Sequence, residues 1–299
     1  MAKSRLKLDE SGREVGARGT WALPVAGGGC CRLSGYEGNR FECHFHPEIE
    51  VTLVEKGEMY YRANDKVFHL RAGDGIFVNV EVMHAGWQVR SGQDCCYVPL
   101  NFSPVMVSGH EGSLIGTQYV EPLLREGCLP YLLFLAERPE DADALSLLRE
   151  FATLMRERPQ GFELLVGSVL ARFWLILYKS AATGRENAFA KNAEGIKKAI
   201  RHIEENYADH LTLDALARTA ALSRSEFCRS FHRFTGRTPF EYLQHHRVLR
   251  ALPLLREGRL SVTEIALLTG FSGPSYFAEI FRRFMGVSPL AYRRARTAE

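Results

Sequence analysis

The sequence lacks the cysteine spacing of a zinc ribbon or of a disulfide framework. It has seven cysteines, an odd number, and no Cys-x-x-Cys pair occurs among them. This excludes the disulfide-dense secreted scaffolds and the common zinc modules. We predict free thiols in a reducing cytoplasm, with redox sensing by Cys95 or Cys96 as the alternative. The cysteines stand at positions 30, 31, 43, 95, 96, 128 and 228.

Long apolar runs are also scarce. The longest, Leu164 to Tyr178, contains Arg172, so it predicts a buried helix rather than a membrane span. The first residues, Met1 to Glu14, are polar and lack the apolar core of a secretory signal. We therefore expect a cytoplasmic protein with no membrane partner. No phosphate-binding loop or pair of catalytic carboxylates stands out.

The charge of the chain is divided unevenly along its length. The 299 residues exceed the usual size of one domain and predict two folded units. Residues 191–299 contain 18 Lys and Arg against 11 Asp and Glu, a balance of +7, whereas residues 1–190 contain 20 against 24, a balance of −4. A local positive excess suits a polyanion, although a solvated basic surface is an equally good interpretation of charge alone.

Residues 49–78 have the pattern of short β-strands. Runs rich in Val, Ile, Phe and Tyr alternate with turn residues, a spacing that predicts consecutive antiparallel hairpins. Ile49, Val51 and Leu53 alternate with polar residues, as in a strand with two unlike faces. Hairpins of this kind close into a barrel or jelly roll, and strand structure is expected to continue at residues 97–102.

After residue 118 the apolar spacing becomes helical. Residues 121–135, 143–156 and 162–179 carry apolar side chains three or four residues apart, and each segment predicts a helix. In the last of these a stripe recurs every fourth residue and would pack on the barrel, on a second subunit, or on both. The stripe consists of Leu165, Val169, Phe173 and Leu177. We predict a first domain at residues 1–180, a linker at 181–192 and a second domain at 193–299.

The second domain contains an internal repeat, residues 213–242 and 262–292. Six residues of the first copy recur 50 positions later, whereas an upstream Leu-Ala pair is matched by Ile-Ala at an offset of 49. The second copy therefore has one extra residue in its turn. The six matched pairs are Phe231 and Phe281, Arg233 and Arg283, Phe234 and Phe284, Gly236 and Gly286, Pro239 and Pro289, and Tyr242 and Tyr292.

Each copy predicts a helix, a tight turn and a second helix. Ser223 with Glu226, and Ser261 with Glu264, have the spacing of a capping box at a helix start. Phenylalanines at spacings of four and three form the buried stripe of each second helix. Thr238 and Pro239 start a helix that separates the two copies. Two helix pairs in register, with small polar and cationic residues facing outward, are typical of DNA recognition in the major groove.

The repeat resembles the C-terminal domain of AraC-type transcription regulators over about residues 193–294. The resemblance is carried by Ile265-Ala266 through Gly270-Phe271-Ser272, and by Tyr276-Phe277 through Phe284, Gly286, Ser288-Pro289 and Tyr292-Arg293. It implies a regulator that binds double-stranded DNA and responds to a small-molecule effector, with a homodimer and contact with RNA polymerase as further expectations. The sequence leaves open whether the chain is an activator or a repressor. Base edges would be faced by Ser225, Cys228 and Arg229 in the first copy and by Ser275, Ala278 and Glu279 in the second. Arg224, His232 and Arg282 complete the candidate DNA-binding set.

Two residues depart from the AraC pattern. The position of Glu279 is often basic in the family, so its carboxylate should repel phosphates and instead accept a hydrogen bond from a cytosine amino group. Pro253 lies inside the helix between the copies, where it removes a backbone donor and should kink or shorten that helix.

A second motif lies in the first domain. Gly38, His44, His46, Glu50 and Gly57 have the spacing G-x5-H-x-H-x3-E-x6-G. The two histidines and Glu50 are separated by even numbers, so on a continuous strand they project to one face. The spacing resembles the first motif of the cupin barrel, and that resemblance adds His84 as a fourth inward ligand. The second cupin motif is degraded, with Asn79, Glu81 and Gln88 in place of Pro, Gly and Asn.

The overall prediction is an α+β chain with a cupin-like N-terminal β-barrel, accessory helices and an all-α domain with two helix-turn-helix units. His44, His46, Glu50 and His84 would bind the effector, or a divalent metal such as Zn, Fe, Mn or Ni. No other cofactor is expected. Two functions remain open, a ligand-responsive regulator without catalysis and a metal-dependent cupin enzyme fused to a DNA-binding module.

Overall fold

The computed structural model describes residues 23–90, 92–125, 128–182 and 192–297. Within these residues the chain forms two compact units, which divide between Ala182 and Asn192. Most of the predicted linker, at positions 183–191, lies outside the described residues. The domain limits that we predicted therefore stay predictions.

The first unit contains ten strands in two sheets. Strands β1, β9, β4, β7 and β10 form the larger sheet in that order, with β2 also paired to β9, and β3, β8, β5 and β6 form the smaller one. The strands are β1 (Val25–Gly27), β2 (Cys31–Arg32), β3 (Arg40–His44), β4 (Ile49–Lys56), β5 (Glu58–Ala63), β6 (Lys66–Arg71), β7 (Gly75–Val78), β8 (His84–Gln88), β9 (Cys96–Phe102) and β10 (Tyr131–Phe134).

Strand β4 has two unlike faces, as its sequence predicts. Val51 and Leu53 pack in the core between the larger sheet and the helices, whereas Val54 packs in the core shared by both sheets. The hairpin prediction holds for β5 and β6 but is wrong for β4 and β5. The chain changes sheet at Gly57, whose φ of 77° is a left-handed conformation that favours glycine, so β4 pairs with β7 and β9 instead.

The described residues of the first unit also form four α-helices: α1 (Val105–Ser108), α2 (Glu121–Leu124), α3 (Ala142–Glu157) and α4 (Phe162–Ala182). The predictions for α3 and α4 are confirmed. The prediction of one helix over residues 121–135 is wrong, because the chain leaves α2 and enters strand β10. Residues 131–134 pair with β7 along their whole length, and this long-range pairing overrides the local helical spacing.

Helix α4 is long and apolar enough to cross a membrane by length and composition, and it is the one such helix among the described residues. This is weak evidence for a span, because a core helix passes the same test. Val169, Phe173 and Leu177 of the predicted stripe are buried against the rest of the unit, but Leu165 is 45% exposed. The stripe is therefore mainly a packing surface inside the chain.

The second unit is entirely helical in its described residues. Its helices are α5 (Ala193–Glu205), α6 (Leu213–Thr219), α7 (Arg224–Thr235), α8 (Pro239–Glu257), α9 (Val262–Leu268), α10 (Pro274–Met285) and α11 (Pro289–Thr297). Helices α6 and α7 form the first predicted helix-turn-helix pair, and α9 and α10 form the second. The extra turn residue is confirmed, because positions 220–223 separate the first pair and positions 269–273 the second.

The helix starts follow the predicted capping in two of three cases. Thr238 with Glu241, and Ser261 with Glu264, form full capping boxes. At α7 the Ser223 hydroxyl accepts from the backbone N–H of Glu226, but the Glu226 carboxylate accepts from Asn192 instead of returning to Ser223. We expected Pro253 to kink or shorten α8. It does not shorten the helix, which continues to Glu257, and the kink stays a prediction.

His246 lies in the core of the second unit with 9% of its surface exposed. Burial, together with the nearby charge of Arg250, lowers the pKa of His246 to about 4. The unfolded chain binds this proton near pH 6.5. Between those values the unfolded state holds more protons, so stability falls as the pH drops from about 6.5 towards about 4.

We expect residues 192–299 to lose about 3 kcal/mol of stability across that pH range from this group. His246→Leu, which cannot titrate, should flatten the profile. Urea midpoints measured at several pH values check this, with the exposed His210→Leu as the control. Parallel profiles for the native segment and His246→Leu would assign the acid sensitivity to other groups.

The prediction that all cysteines are free thiols is wrong for two of them. Cys30 and Cys96 form a disulfide, although they stand 66 residues apart. Pairing of β2 with β9 brings the two together, and local spacing in the sequence carries no sign of this. Within the described residues the other five cysteines form no disulfide, as predicted.

Candidate functional sites

Four polar side chains meet between the two sheets of the first unit. His44 ends β3, His46 lies in the following connection, Glu50 is in β4 and His84 begins β8. None is more than 6% exposed, and one ligand atom from each lies within 4.8 Å of all the others. The predicted set therefore converges, but not from one continuous strand as we reasoned. The chain crosses from the smaller to the larger sheet between His44 and Glu50.

The three imidazoles share one tautomer. Each Nδ1 lies within hydrogen-bond distance of a backbone carbonyl oxygen, which can only accept, so Nδ1 carries the proton. In a neutral ring of this tautomer, Nε2 is the acceptor nitrogen. The acceptors are the carbonyls of Glu42 for His44 (2.9 Å), Glu48 for His46 (3.0 Å) and Val82 for His84 (2.8 Å).

Three residues that the sequence analysis missed hold Glu50 in place. The hydroxyls of Thr52 and Tyr61 donate to Glu50 Oε1 at 3.0 and 2.9 Å. The Asn101 amide donates to Glu50 Oε2 at 3.3 Å and lies 3.4 Å from His46 Nε2. Asn101 faces Glu50 across the β4–β9 pairing. Tyr61 reaches Glu50 from β5, so this bond joins the two sheets.

The charge state of the cluster follows from its burial. Burial, reinforced by His84 and His46, holds the pKa of His44 well below its usual 6.5, so this ring is neutral near pH 7. Burial by itself would raise the pKa of Glu50, but the nearby His84 and His46 side chains hold it well below its usual value. The cluster thus combines an ionised carboxylate with the neutral imidazole of His44.

The imidazole nitrogens and the carboxylate oxygens of these four residues are suitable ligand atoms for a divalent transition metal. Metal-bound histidines usually donate their second ring N–H to a carbonyl or carboxylate, and all three imidazoles here do so. His84 Nε2 is buried and has no hydrogen-bond partner among the described residues, as expected of an atom reserved for a ligand. The Nε2 atoms of His46 and His84 lie 3.6 and 3.7 Å from Glu50 Oε2.

The degraded second cupin motif retains the backbone that the motif requires. Glu81 stands where the pattern has glycine, and it still adopts a φ of 57°. Its N–H donates to the His46 carbonyl at 2.7 Å. Asn79, where the pattern has proline, is buried and donates to the carbonyls of Leu123 and Leu129. Both substitutions therefore fit the fold without entering the ligand set.

The second unit presents the nine predicted DNA-binding residues on α7 and α10. Seven are exposed, and Cys228 and Ala278 are half-buried. The exposed residues are Arg224, Ser225, Arg229, His232, Ser275, Glu279 and Arg282. The opposite sides of the two helices are held by buried phenylalanines, which fixes the direction in which the exposed sides face.

Some of these charges are already paired. Arg224 forms an ion pair with Asp214 on α6, and Glu279 lies 3.3 Å from Arg283 one turn later. Arg229 has no ion-pair partner within the described residues. The α10 side chains border a shallow surface pocket of about 460 Å³ lined by Ser275, Ala278, Glu279, Arg282 and Arg283.

Comparison with known proteins agrees with both halves of this arrangement. Residues 26–171 match an AraC-like ligand binding domain, and residues 216–295 match a helix-turn-helix domain. The HTH-type transcriptional activator RhaS of Escherichia fergusonii is 30% identical, over 86% of this chain and 89% of that protein. The chain belongs to the AraC family of transcription regulators.

Other relatives are similar along nearly the whole chain. The uncharacterized HTH-type transcriptional regulator YdeC of Bacillus subtilis is 28% identical over 96% of this chain and 97% of that protein. Among solved structures, unsaturated fatty acid bound ToxT from Vibrio cholerae is 15% identical, covers 87% of this chain and 91% of that chain, and gives a TM-score of 0.41.

Membership of the AraC family confirms the predicted fold class and the general function. The chain is an α+β transcription regulator with an N-terminal ligand-binding domain and a helix-turn-helix domain that binds DNA. The family is one of regulators rather than enzymes.

Proposed function

We propose that this AraC-family regulator binds a small effector between the two sheets of its first unit and reads DNA with α7 and α10. The observation that carries the effector site is the convergence of His44, His46, Glu50 and His84, all buried and within 4.8 Å of one another. The buried His84 Nε2 has no hydrogen-bond partner among the described residues, and such an atom is costly unless a partner satisfies it. A ligand that binds there recovers that cost.

The chemistry of the site limits the effector. The Glu50 carboxylate is an acceptor, and the three donors around it, Thr52, Tyr61 and Asn101, are already directed at it. An anionic group placed directly against Glu50 would be repelled. The direct partner is therefore a molecule rich in hydroxyl donors, of about the size of a sugar, or a divalent metal that in turn holds an effector oxygen.

The three Nε2 atoms and Glu50 Oε2 would hold that metal, and a bound ion would supply Lewis-acid attraction for an anionic or hydroxyl oxygen. Metal analysis of the purified chain distinguishes the two forms of the site. About one ion per chain supports the metal form, whereas a metal-free protein that still responds to effector supports direct hydrogen bonding.

A metal-dependent enzyme fused to a DNA-binding module is the second candidate, and the complete buried ligand set is the observation that favours it. We favour the sensor, without catalysis, because the chain matches regulator models over both units. Consumption of a candidate effector by the metal-loaded chain, followed by product analysis, would reverse this preference.

For DNA, we propose that the nine exposed or half-exposed residues of α7 and α10 contact the major groove. Arg229 is the residue best placed for base recognition, because its guanidinium is exposed and has no ion-pair partner within the described residues. An arginine in this position can hold guanine O6 and N7 with two hydrogen bonds.

Arg229→Ala should cost about 1–3 kcal/mol of affinity on the preferred site and less on random DNA. Fluorescence anisotropy with both duplexes measures the two losses. Lys198→Ala, which removes an exposed charge from α5, is the matched control and should change both affinities little. Equal losses on the two duplexes for Arg229→Ala would assign this side chain to phosphate contact.

We further propose that the regulator acts in the cytoplasm as a homodimer and activates transcription with RNA polymerase. Leu164 and Leu175 of α4 are 82% and 50% exposed, and they support a subunit contact on the side of α4 opposite its buried stripe. Sedimentation of the purified chain tests the dimer, and transcription in vitro from a bound promoter tests activation. A monomer at micromolar concentration would remove the first part of the proposal.

A further inference from the structure

The cysteine pair of the first unit lies apart from the effector cluster, defined as His44, His46, Glu50 and His84. Cys30 precedes β2 and Cys96 begins β9, where Arg32 faces Cys96 across the strand pair. The Cα atoms of the two cysteines are 5.8 Å apart, inside the range of protein disulfides. The strand pairing itself therefore holds the two sulfurs within bonding distance.

The two sulfurs differ in their surroundings. Cys30 is exposed to solvent, whereas Cys96 is 8% exposed. The Cys96 Sγ lies 3.6 Å from Glu55 Oε2, and Glu55 Oε1 is bound by Arg156 at 2.7 Å. In a reduced pair the carboxylate accepts a hydrogen bond from Cys96, and because it also lies within 4.8 Å of the Cys30 sulfur it favours the thiol form of both cysteines. The two sulfurs therefore differ in their exposure to solvent. Cys30 is then the sulfur that meets a dissolved oxidant, and Cys96 is the one that resolves it.

The neighbouring cysteines do not compete for this chemistry. Cys95 is buried, and burial, together with Asp94 and Glu58, raises the pKa of its thiol to about 12, so it stays protonated. Cys43 is buried as well, and Cys31 packs against the core between the sheets. The thiolate is the reactive form of a cysteine, so a thiol that stays protonated, such as that of Cys95, does not react at a useful rate.

We propose that Cys30 and Cys96 are a site of reversible thiol oxidation by peroxides, a second input to this regulator besides its effector. The Cys30 thiolate attacks one peroxide oxygen, which breaks the O–O bond and leaves sulfenic acid at Cys30 and hydroxide. The Cys96 sulfur then attacks the sulfenic sulfur, forms the S–S bond and releases the second oxygen as water. Two electrons pass to the peroxide, and a dithiol reductant returns them.

Oxidation of the cysteine pair would also affect the domain that contains the effector cluster, because the disulfide bond fixes β2 to β9. Strand β9 carries Asn101, the amide donor of the effector cluster, at its other end. A crosslink that closes a long loop restricts the unfolded chain. Oxidation therefore raises the unfolding temperature of the first unit, and reduction lowers it.

The test uses the full chain, fully reduced and then treated with about one equivalent of hydrogen peroxide. Free thiols are counted by alkylation, and crosslinks are located by mass spectrometry of non-reduced peptides. We expect loss of two of the seven thiols, a single Cys30–Cys96 link, and recovery of both thiols with dithiothreitol. Glu55→Gln should oxidise several-fold faster, since it removes the charge beside Cys96.

Cys30→Ser and Cys96→Ser should each abolish the link and the rise in unfolding temperature. Cys128→Ser, which removes a partly exposed cysteine of the same unit, should leave both unchanged. Oxidation spread evenly over the cysteines, a Cys30–Cys31 link, or a crosslink between two chains would each overturn the proposal. None of these readouts uses effector or DNA, so the result is independent of the proposed function.

Discussion

His46→Ala should abolish the effector response and weaken divalent-metal binding at the cluster by on the order of 100-fold or more. The substitution removes one of three converging Nε2 atoms from a site in which every side chain is buried. It also leaves Asn101 without one of its two acceptors. Because α7 and α10 belong to a separate unit, DNA binding without effector should stay within about twofold of the native value.

The response is best measured as the change in DNA affinity or transcription with candidate effectors, alongside titration with Co²⁺ or Zn²⁺. His110→Ala, which removes an exposed histidine from the same unit, is the control and should behave as the native chain. Glu50→Gln keeps the shape of the carboxylate and separates loss of charge from loss of packing. A normal response from His46→Ala would show that the histidines have a structural role only.

The affinity of residues 192–299 for duplex DNA should fall about 10³- to 10⁵-fold between 50 and 200 mM salt, if about 6–10 phosphates are neutralised. Residues 191–299 carry a balance of +7, and cationic side chains lie at the exposed faces and ends of α7 and α10. Each neutralised phosphate contributes about 0.9 to the logarithmic slope, because counterions are released.

Binding isotherms at five or six salt concentrations give this slope directly. Arg282→Ala should lower it by about one unit if this residue contacts phosphate. Glu279→Gln should raise affinity on random DNA, because the carboxylate repels phosphates. A salt-independent affinity, or no binding by the isolated segment, would contradict the assignment of α7 and α10 as the DNA-contacting helices.

Local pattern was enough to predict the second unit. Its helices, the phenylalanine stripes and the extra turn residue depend on contacts between residues close in sequence, where the period of a helix is visible. The first unit was harder. Strand β10 and the Cys30–Cys96 disulfide arise from pairings between distant segments, and local periodicity does not record them.

The effector cluster shows the same division. The motif spacing located His44, His46, Glu50 and His84, but not the residues that hold Glu50. Asn101 stands 51 residues beyond Glu50 and is an ordinary residue of a strand until the β4–β9 register places it opposite. Tyr61 was an apolar strand residue in the pattern, and its hydroxyl became informative only when the two sheets were in place.

Helix α8 joins the two DNA-binding pairs without interruption over 19 residues, a length of about 28 Å at 1.5 Å per residue. That is a little under one turn of B-DNA, the spacing between the successive major grooves that we propose α7 and α10 enter. The two helices carry different outward residues and are preceded by turns of different length. A single chain bound to such a site is therefore asymmetric along the DNA. An inverted copy of the same DNA sequence would hold α7 and α10 in the opposite order along the promoter, so the orientation of the site, and not only its presence, would determine how the DNA-binding unit faces the promoter.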